Sequence, residues 1–213
     1  MKHRIGRLHI ITDTRGDKTH AALAAAALAG GADVVQMRDK VSTTRFALEA
    51  ARAVAELCRK WHRPLIINDR IDVALGMDAE GVHLGDDDLP IEIARSLLGP
   101  ERIIGSSADT VSEVDRRVKS GADYVGIGPI FETTSKGDAG PVLGLDGLAE
   151  VVKRTSIPLI AIGGITLENV SEVLQTGVYG IAVLSAVCQN SDPEGVTRRF
   201  QEILSTQTLN SRS

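Results

Sequence analysis

The chain has 213 residues, a net charge of −4 and a pI near 5.7. It has no run of Lys or Arg, so the composition argues against nucleic acid as a partner. Hydrophobic residues make up 43% but aromatic residues only 3%, which predicts an aliphatic core of the kind found where helices cover a sheet. No stretch is apolar enough to span a membrane, Met1–Arg7 lacks the apolar run of a leader, and Cys58 and Cys188 show no metal-type spacing. The expected setting is a reducing cytoplasm, with both cysteines as small core hydrophobes.

Taken in order, Arg7–Thr12 reads as a first strand and Thr19–Leu28 as an Ala-rich helix closed by Gly30 and Gly31. Asp33–Met37 is a second strand. Ser42 is expected to cap a helix through Arg59, with Glu56, Arg59 and Lys60 on its wet side. Pro64–Ile67 is a third strand, followed by a short helix, Ile71–Met77. Gly81–Leu84 is a fourth strand. Pro90 falls in the first turn of a helix that ends at Leu98. Arg102–Gly105 is a fifth strand, and Thr110 opens a helix to Ser120 with Glu113 at the capping-box position. The sixth strand starts at Tyr124 and is followed by a helix over Leu145–Arg154. Pro158–Ile162 is a seventh strand, Thr166 opens a helix to Gln175, Tyr179–Leu184 is an eighth strand, and a last helix covers Pro193–Leu204. Ser205–Ser213 reads as a polar tail.

Strands alternating with helices predict parallel pairing through right-handed crossovers. Eight such units in one domain over residues 1–204 give a small (β/α)8 barrel of TIM type, with an open doubly wound sheet as the second choice. A weak repeat supports the barrel: Gly31-Ala32-Asp33 and Gly121-Ala122-Asp123 precede the second and sixth strands, and Asp78–Gly81 and Gly177–Gly180 precede the fourth and eighth.

After the sixth strand the chain enters a loop that lasts to about Gly144 and carries Thr133, Thr134, Ser135 and Lys136. Loops of this length in compact domains are usually lids or binding loops, and hydroxyls with one ammonium suit an anionic oxygen. In a barrel of this type the site lies at the strand C-termini. There the sequence places Gln36, Arg38 and Lys40, then Asn68 and Asp69, His83 and the aspartates through Asp88, Ser106 and Ser107, Gly163 and Gly164, and Ser185. The alternating Gln36, Arg38 and Lys40 suit a diphosphate, or alternatively form a solvated strand end. Taken alone, Asp88 reads as a helix cap before Pro90; taken with Asp69 at the end of the neighbouring strand and the cations beside them, it suits a hard-oxygen Mg²⁺ site. His83 in an apolar strand reads by default as a core histidine. The glycines after the seventh strand and Ser185 after the eighth suit a second phosphate bound by backbone amides.

Several segments together, Val34–Lys40 (VVQMRDK), Ile66–Leu75 (IINDRIDVAL), Gly81–Pro90 (GVHLGDDDLP), Ile103–Ser107 (IIGSS), Gly121–Lys136 (GADYVGIGPIFETTSK) and Ile160–Ile165 (IAIGGI), resemble the thiamine-phosphate synthase family over nearly the whole chain. The resemblance implies a (β/α)8 barrel. The implied reaction joins a hydroxymethylpyrimidine diphosphate to a thiazole phosphate, or its carboxylated form, and releases diphosphate. It implies that Gln36, Arg38, Lys40, Asn68 and Lys136 bind the pyrimidine diphosphate, that His83 and Ser107 lie near the pyrimidine, and that Asp69 and Asp88 hold one Mg²⁺. Thr133, Thr134, Ser135, Gly164, Leu184 and Ser185 would line the thiazole-phosphate site, and Lys136, Arg38 and Ser107 would be the catalytic groups. The expected partners are small phosphorylated molecules, with a homodimer an ordinary possibility. The chain departs from the family pattern at Asp86, commonly Gln, at Glu132, commonly Pro, and near Asp109, where the family often has a His. The rival readings are a thiazole tautomerase-like isomerase, whose proton-shuttling Cys and His positions here hold Ser135 and Asp109, and a thiazole-phosphate binder without catalysis.

Overall fold

A computed structural model of the protein describes residues 5–14, 17–133 and 140–210. Its strands are β1 (Leu8–Thr12), β2 (Val34–Met37), β3 (Leu65–Asn68), β4 (Gly81–Leu84), β5 (Ile103–Ala108), β6 (Tyr124–Ile127), β7 (Leu159–Ile162) and β8 (Gly180–Val183). The helices between them are α1 (His20–Ala29), α2 (Thr44–Trp61), α3 (Ile71–Met77), α4 (Ile91–Leu98), α5 (Val111–Lys119), α6 (Gly144–Arg154) and α7 (Val170–Gln175), with α8 (Ser185–Cys188) and α9 (Pro193–Asn210) after the last strand. The strands pair in sequence order, all parallel, and β8 closes on β1. This is the expected (β/α)8 barrel.

Side chains alternate across each strand, so every second residue enters the barrel. The inward set near the strand starts is apolar and includes Val34, Ile66, Ile103, Ile160 and Ala182. The outward set packs against the helices, as with Val35, Val82 and Ile104 under α2 to α4. Tyr124 is the large interior exception. Its ring occupies space left by Gly105, where a Cβ would come within 2.1 Å of Tyr124 Cζ.

The internal repeat has a physical role. Asp33, after the left-handed Gly31, accepts hydrogen bonds from the Arg7 and Leu8 amides at 3.0 and 3.1 Å. Asp123, after Gly121, accepts from the Ile104 amide at 2.9 Å and from Arg95 at 2.6 Å. Glu80 does the same for the Leu65 amide at 2.8 Å. Each carboxylate satisfies an amide at the start of the preceding odd-numbered strand, closing the barrel's N-terminal face.

Several boundaries differ from the sequence reading. Helix α2 starts after Thr43, because Ser42 donates its amide to Asp39 Oδ1 at 2.9 Å and belongs to the turn. Pro90 is the cap of α4 and lies outside its first turn. Glu113 Oε2 accepts from the Asp109 amide at 2.7 Å, one residue before the Thr110 cap, so the reciprocal bond of a capping box is displaced. Thr166 does not open α7; the Asn169 side chain bridges the Thr166 amide and the Gly164 carbonyl, both at 2.9 Å, and the helix begins at Val170. Beyond Leu204 the chain remains helical to Asn210, so the expected tail is the end of α9 over that span. Both cysteines are buried free thiols, as expected, and burial pushes Cys58 up to about 12.

His9 makes the fold sensitive to acid. It is buried in the barrel with its ring edge-on to Tyr124 at 5.2 Å, Nε2 bonded to the Gly6 carbonyl at 3.1 Å, and Nδ1 without a hydrogen-bond partner among the described residues. Burial lowers its pKa to about 4, against smaller opposing contributions from Gly6 and Asp33. A histidine held neutral in the fold contributes its stability in full above its unfolded value of about 6.5 and loses it as pH falls towards 4. About 3 kcal/mol is at stake at 1.36 kcal/mol per unit. Urea unfolding of wild type and His9→Gln from pH 7.5 to 4 should show the wild-type advantage shrinking below pH 6.5. A gap that stays constant with pH would contradict this.

Candidate active site

The strand C-termini surround a cavity of about 410 Å³. Strand alternation delivers its inner wall, because Gln36, Asn68, His83 and Ser107 are all inward positions near the ends of successive strands β2 to β5. The residues after those ends form the rim. A cleft of similar volume at the opposite face holds Arg7, Asp33 and Arg63, but Arg7 donates to the Tyr179 and Leu204 carbonyls and Arg63 pairs with Asp33 at 3.4 Å. Its charges are spent on structure.

On the β2–β3 side, Gln36 Nε2 donates to Asn68 Oδ1 at 2.8 Å, and both residues are buried. Arg38 donates to Asp13 at 2.6 Å, with Arg38 14% and Asp13 7% exposed. Lys40 pairs with Asp69. The turn between these cations is fixed by Asp39, whose Oδ1 accepts from the Val41 and Ser42 amides. Gln36 is buried and Arg38 largely so, whereas Lys40 is exposed at the cavity rim.

Asp69 has φ 63°, a left-handed conformation that Asp and Asn tolerate better than most residues, and its amide donates to the His83 carbonyl at 2.8 Å. Asp88 does not cap α4. Its Oδ2 turns back to accept from the Gly85 amide at 2.7 Å. Burial, and then the facing Asp69 carboxyl, hold Asp88 above the usual carboxylate range, with Lys40 and the Gly85 amide acting the other way. Two carboxylates brought within hydrogen-bonding reach of each other are costly unless a cation joins them. The donor set therefore fits a hard divalent ion that completes its shell with water and phosphate oxygens.

His83 is half-buried on the cavity wall and is not a core histidine. Its Nδ1 meets the Tyr124 hydroxyl and its Nε2 meets Ser107 Oγ, both at 3.0 Å. Burial raises the Tyr124 pKa far above its ordinary value, so the phenol stays protonated. The imidazole is thus held by a hydroxyl at each ring nitrogen, with the donor and acceptor roles set by its tautomer. Gly126 makes room for the imidazole, since a Cβ there would come within 3.2 Å of His83 Cε1. Ser106, by contrast, is outward, buried, and bonded to the Leu84 carbonyl at 2.9 Å.

Across the cavity stand Thr133, Gly164, Leu184 and Ser185. Gly163 and Gly164 have φ of 99° and 65°, and Cβ atoms there would each come within 2.7 Å of the Pro129–Glu132 segment. That segment leaves β6 along the end of β7, with the Ile130 and Phe131 amides donating to the Ile162 and Gly163 carbonyls. The glycines are thus needed for close approach of the binding loop. Ser185 opens the short α8 and does not continue β8. Thr134, Ser135 and Lys136 lie outside the described residues. Glu132 is exposed, so its charge is not added to the cavity, whereas Asp109 lines the rim against the returning Gly140.

Sequence reasoning missed Asp13, Tyr124 and Arg117. Asp13 could have been found, since it follows the first strand and strand ends were the rule applied to the others. Arg117 lies on α5, and its ion pair with Asp86 has no signature in sequence spacing.

Residues 8–187 match a model of the thiamine monophosphate synthase family. The chain is 49% identical over 199 residues to a thiamine-phosphate synthase of Salinibacter ruber, covering 92% of this chain and 88% of that one. It is 47% identical to one of Methanocella arvoryzae, covering 96% and 98%. A solved thiamine phosphate pyrophosphorylase of Pyrococcus furiosus superposes with a TM-score of 0.87 at 40% identity, covering 94% of this chain and 96% of that one. With matches of this extent in both sequence and structure, the chain belongs to the thiamine monophosphate synthase family.

Proposed function

We propose that this chain is a transferase that joins 4-amino-2-methyl-5-hydroxymethylpyrimidine diphosphate to 4-methyl-5-(2-phosphoethyl)thiazole, giving thiamine phosphate and diphosphate; with the carboxylated form of the thiazole, CO2 is also released and the vacated ring carbon takes a proton from water. The observation that carries the reading is the facing pair Asp69 and Asp88 beside Arg38 and Lys40 in one cavity, in a chain 49% identical to a named synthase. The C–O bond from the pyrimidinylmethyl carbon to the diphosphate breaks and its electron pair leaves on the diphosphate. The thiazole nitrogen then supplies the pair for the new C–N bond. With the uncarboxylated thiazole no proton transfer is needed, in keeping with a site that works by positioning and charge stabilisation.

Gln36, Arg38, Lys40 and Asn68, with Lys136, take the diphosphate. Asp69 and Asp88 would hold Mg²⁺, which would supply positive charge beside the diphosphate. His83 and Ser107 orient the pyrimidine. Thr133, Thr134, Ser135, Gly164, Leu184 and Ser185 receive the thiazole phosphate, and Lys136, Arg38 and Ser107 act closest to the reacting atoms. Among the described residues no helix is long and apolar enough to cross a membrane, and the two free thiols suit work in the cytoplasm.

The test mixes purified protein with both substrates and Mg²⁺ and measures products. Thiamine phosphate and diphosphate should appear in equal amounts, and a chelator should stop both. No thiamine phosphate with saturating substrates would overturn the reading.

A further inference from the structure

Asp86 sits on the turn after β4, exposed, in the wall of the same cavity as Asp69 and Asp88. Its carboxylate is met by the guanidinium of Arg117 from α5, whose Nε also donates to the Ser107 carbonyl at 3.0 Å. The Arg117 side chain is only 18% exposed, against 67% for Asp86. An arginine is seldom drawn so far from water without a partner. This one lies behind the wall, with its charge brought to the rim.

Charge balance gives the pair a role. Arg38 and Lys40 are already engaged by Asp13 and Asp69. The β4 turn contributes three consecutive carboxylates, Asp86, Asp87 and Asp88. Each adds repulsion for a diphosphate entering this half of the cavity, and pairing with Arg117 offsets that of Asp86. We propose that Arg117 is a positioning residue for diphosphate binding: acting through Asp86, it neutralises that carboxylate and holds it towards the end of β5. The inference rests on the reading above that the diphosphate binds beside Arg38 and Lys40.

The experiment compares wild type, Arg117→Met, Arg117→Lys and Arg117→Met with Asp86→Asn. It measures kcat and KM for the pyrimidine diphosphate and, by calorimetry, Kd for inorganic diphosphate with Mg²⁺ present. Arg117→Met should raise KM and Kd about tenfold, as expected for one uncompensated charge near a multiply charged anion, and leave kcat within about threefold. The loss should shrink at about 0.5 M salt, where surface charges are screened. Arg117→Lys keeps the cation but not the fork that reaches both Ser107 and Asp86, so its Kd should fall between those of wild type and Arg117→Met. The double variant should recover to within about threefold of wild type although its guanidinium is missing. Unchanged KM and Kd in Arg117→Met would overturn the proposal, as would a double variant as weak as the single one, which would mean that the pair only shapes the turn. The two readings fail separately. A wild type that binds diphosphate with this variant pattern but forms no thiamine phosphate keeps the compensation and removes the reaction. A wild type that does not bind diphosphate overturns both.

Discussion

Asp88→Asn should lower kcat/KM by at least about 100-fold, the scale seen when one preorganised electrostatic group is removed from an active site, while leaving the thermal midpoint no lower than that of wild type. The two effects have one cause. Asp88 is half-buried, faces Asp69, and is held above the ordinary carboxylate range by burial first and by that neighbour second. Its charge therefore costs the fold stability and is retained for what it binds. An amide keeps the shape and can still accept from the Gly85 amide, now 2.7 Å from Oδ2. Asp69→Asn should behave alike, because Asn tolerates the left-handed backbone at φ 63°. Mg²⁺ with inorganic diphosphate should raise the midpoint of wild type and leave both variants nearly unmoved, since a ligand stabilises only the state that binds it. Scanning calorimetry with and without the ion reads this out. A variant that loses stability in step with activity would make Asp88 a structural residue.

Gly105→Ala should be strongly destabilising, because the added methyl collides with a ring inside the barrel. A Cβ at this position would lie 2.1 Å from Tyr124 Cζ and 2.4 Å from its hydroxyl. Tyr124 is 1% exposed, so the ring has nowhere to withdraw without moving its neighbours. Overpacking of this kind costs about 3 kcal/mol. In a chain of this length that lowers the midpoint by roughly 6–12 °C. The damage should reach the site, because the displaced hydroxyl is the partner of His83 Nδ1 and His83 in turn holds Ser107. Turnover should fall even at temperatures where the variant is fully folded. Combining it with Tyr124→Leu, which vacates the space, should destabilise less than the sum of the two single changes. Additive losses would show that Gly105 and Tyr124 are not coupled.

These two predictions also mark how far the sequence could be read. Asp88 and Asp69 were legible as a pair because strand ends follow from alternation, and the end of a parallel strand is where chemistry collects. The barrel itself was legible for the same reason, and so was the glycine-aspartate repeat, although only the structure shows Asp33 and Asp123 closing on the strand before. Gly105 was not legible. A glycine in a strand signals close approach of something, but the chain does not say that the intruder is Tyr124 from the neighbouring strand. Ion pairs such as Arg38 with Asp13, and Arg117 with Asp86, join residues that local periodicity cannot connect. Propensity also misled where a polar side chain had a better use elsewhere. Asp88 looks like a helix cap but serves its own turn, and Thr166 looks like a helix start but gives its amide to Asn169. His83 looked like core because its strand is apolar, and alternation alone should have placed it beside Asn68 on the inward face.

The central claim is that one cavity binds diphosphate on its cationic side and a divalent ion between two carboxylates. Its most direct test is the anomalous difference density of crystals grown with Mn²⁺ and inorganic diphosphate. The account predicts a single strong peak between Asp69 and Asp88, with the diphosphate against Gln36, Arg38 and Lys40. A metal peak elsewhere, or diphosphate seated by Gly164 and Ser185 alone, would contradict it.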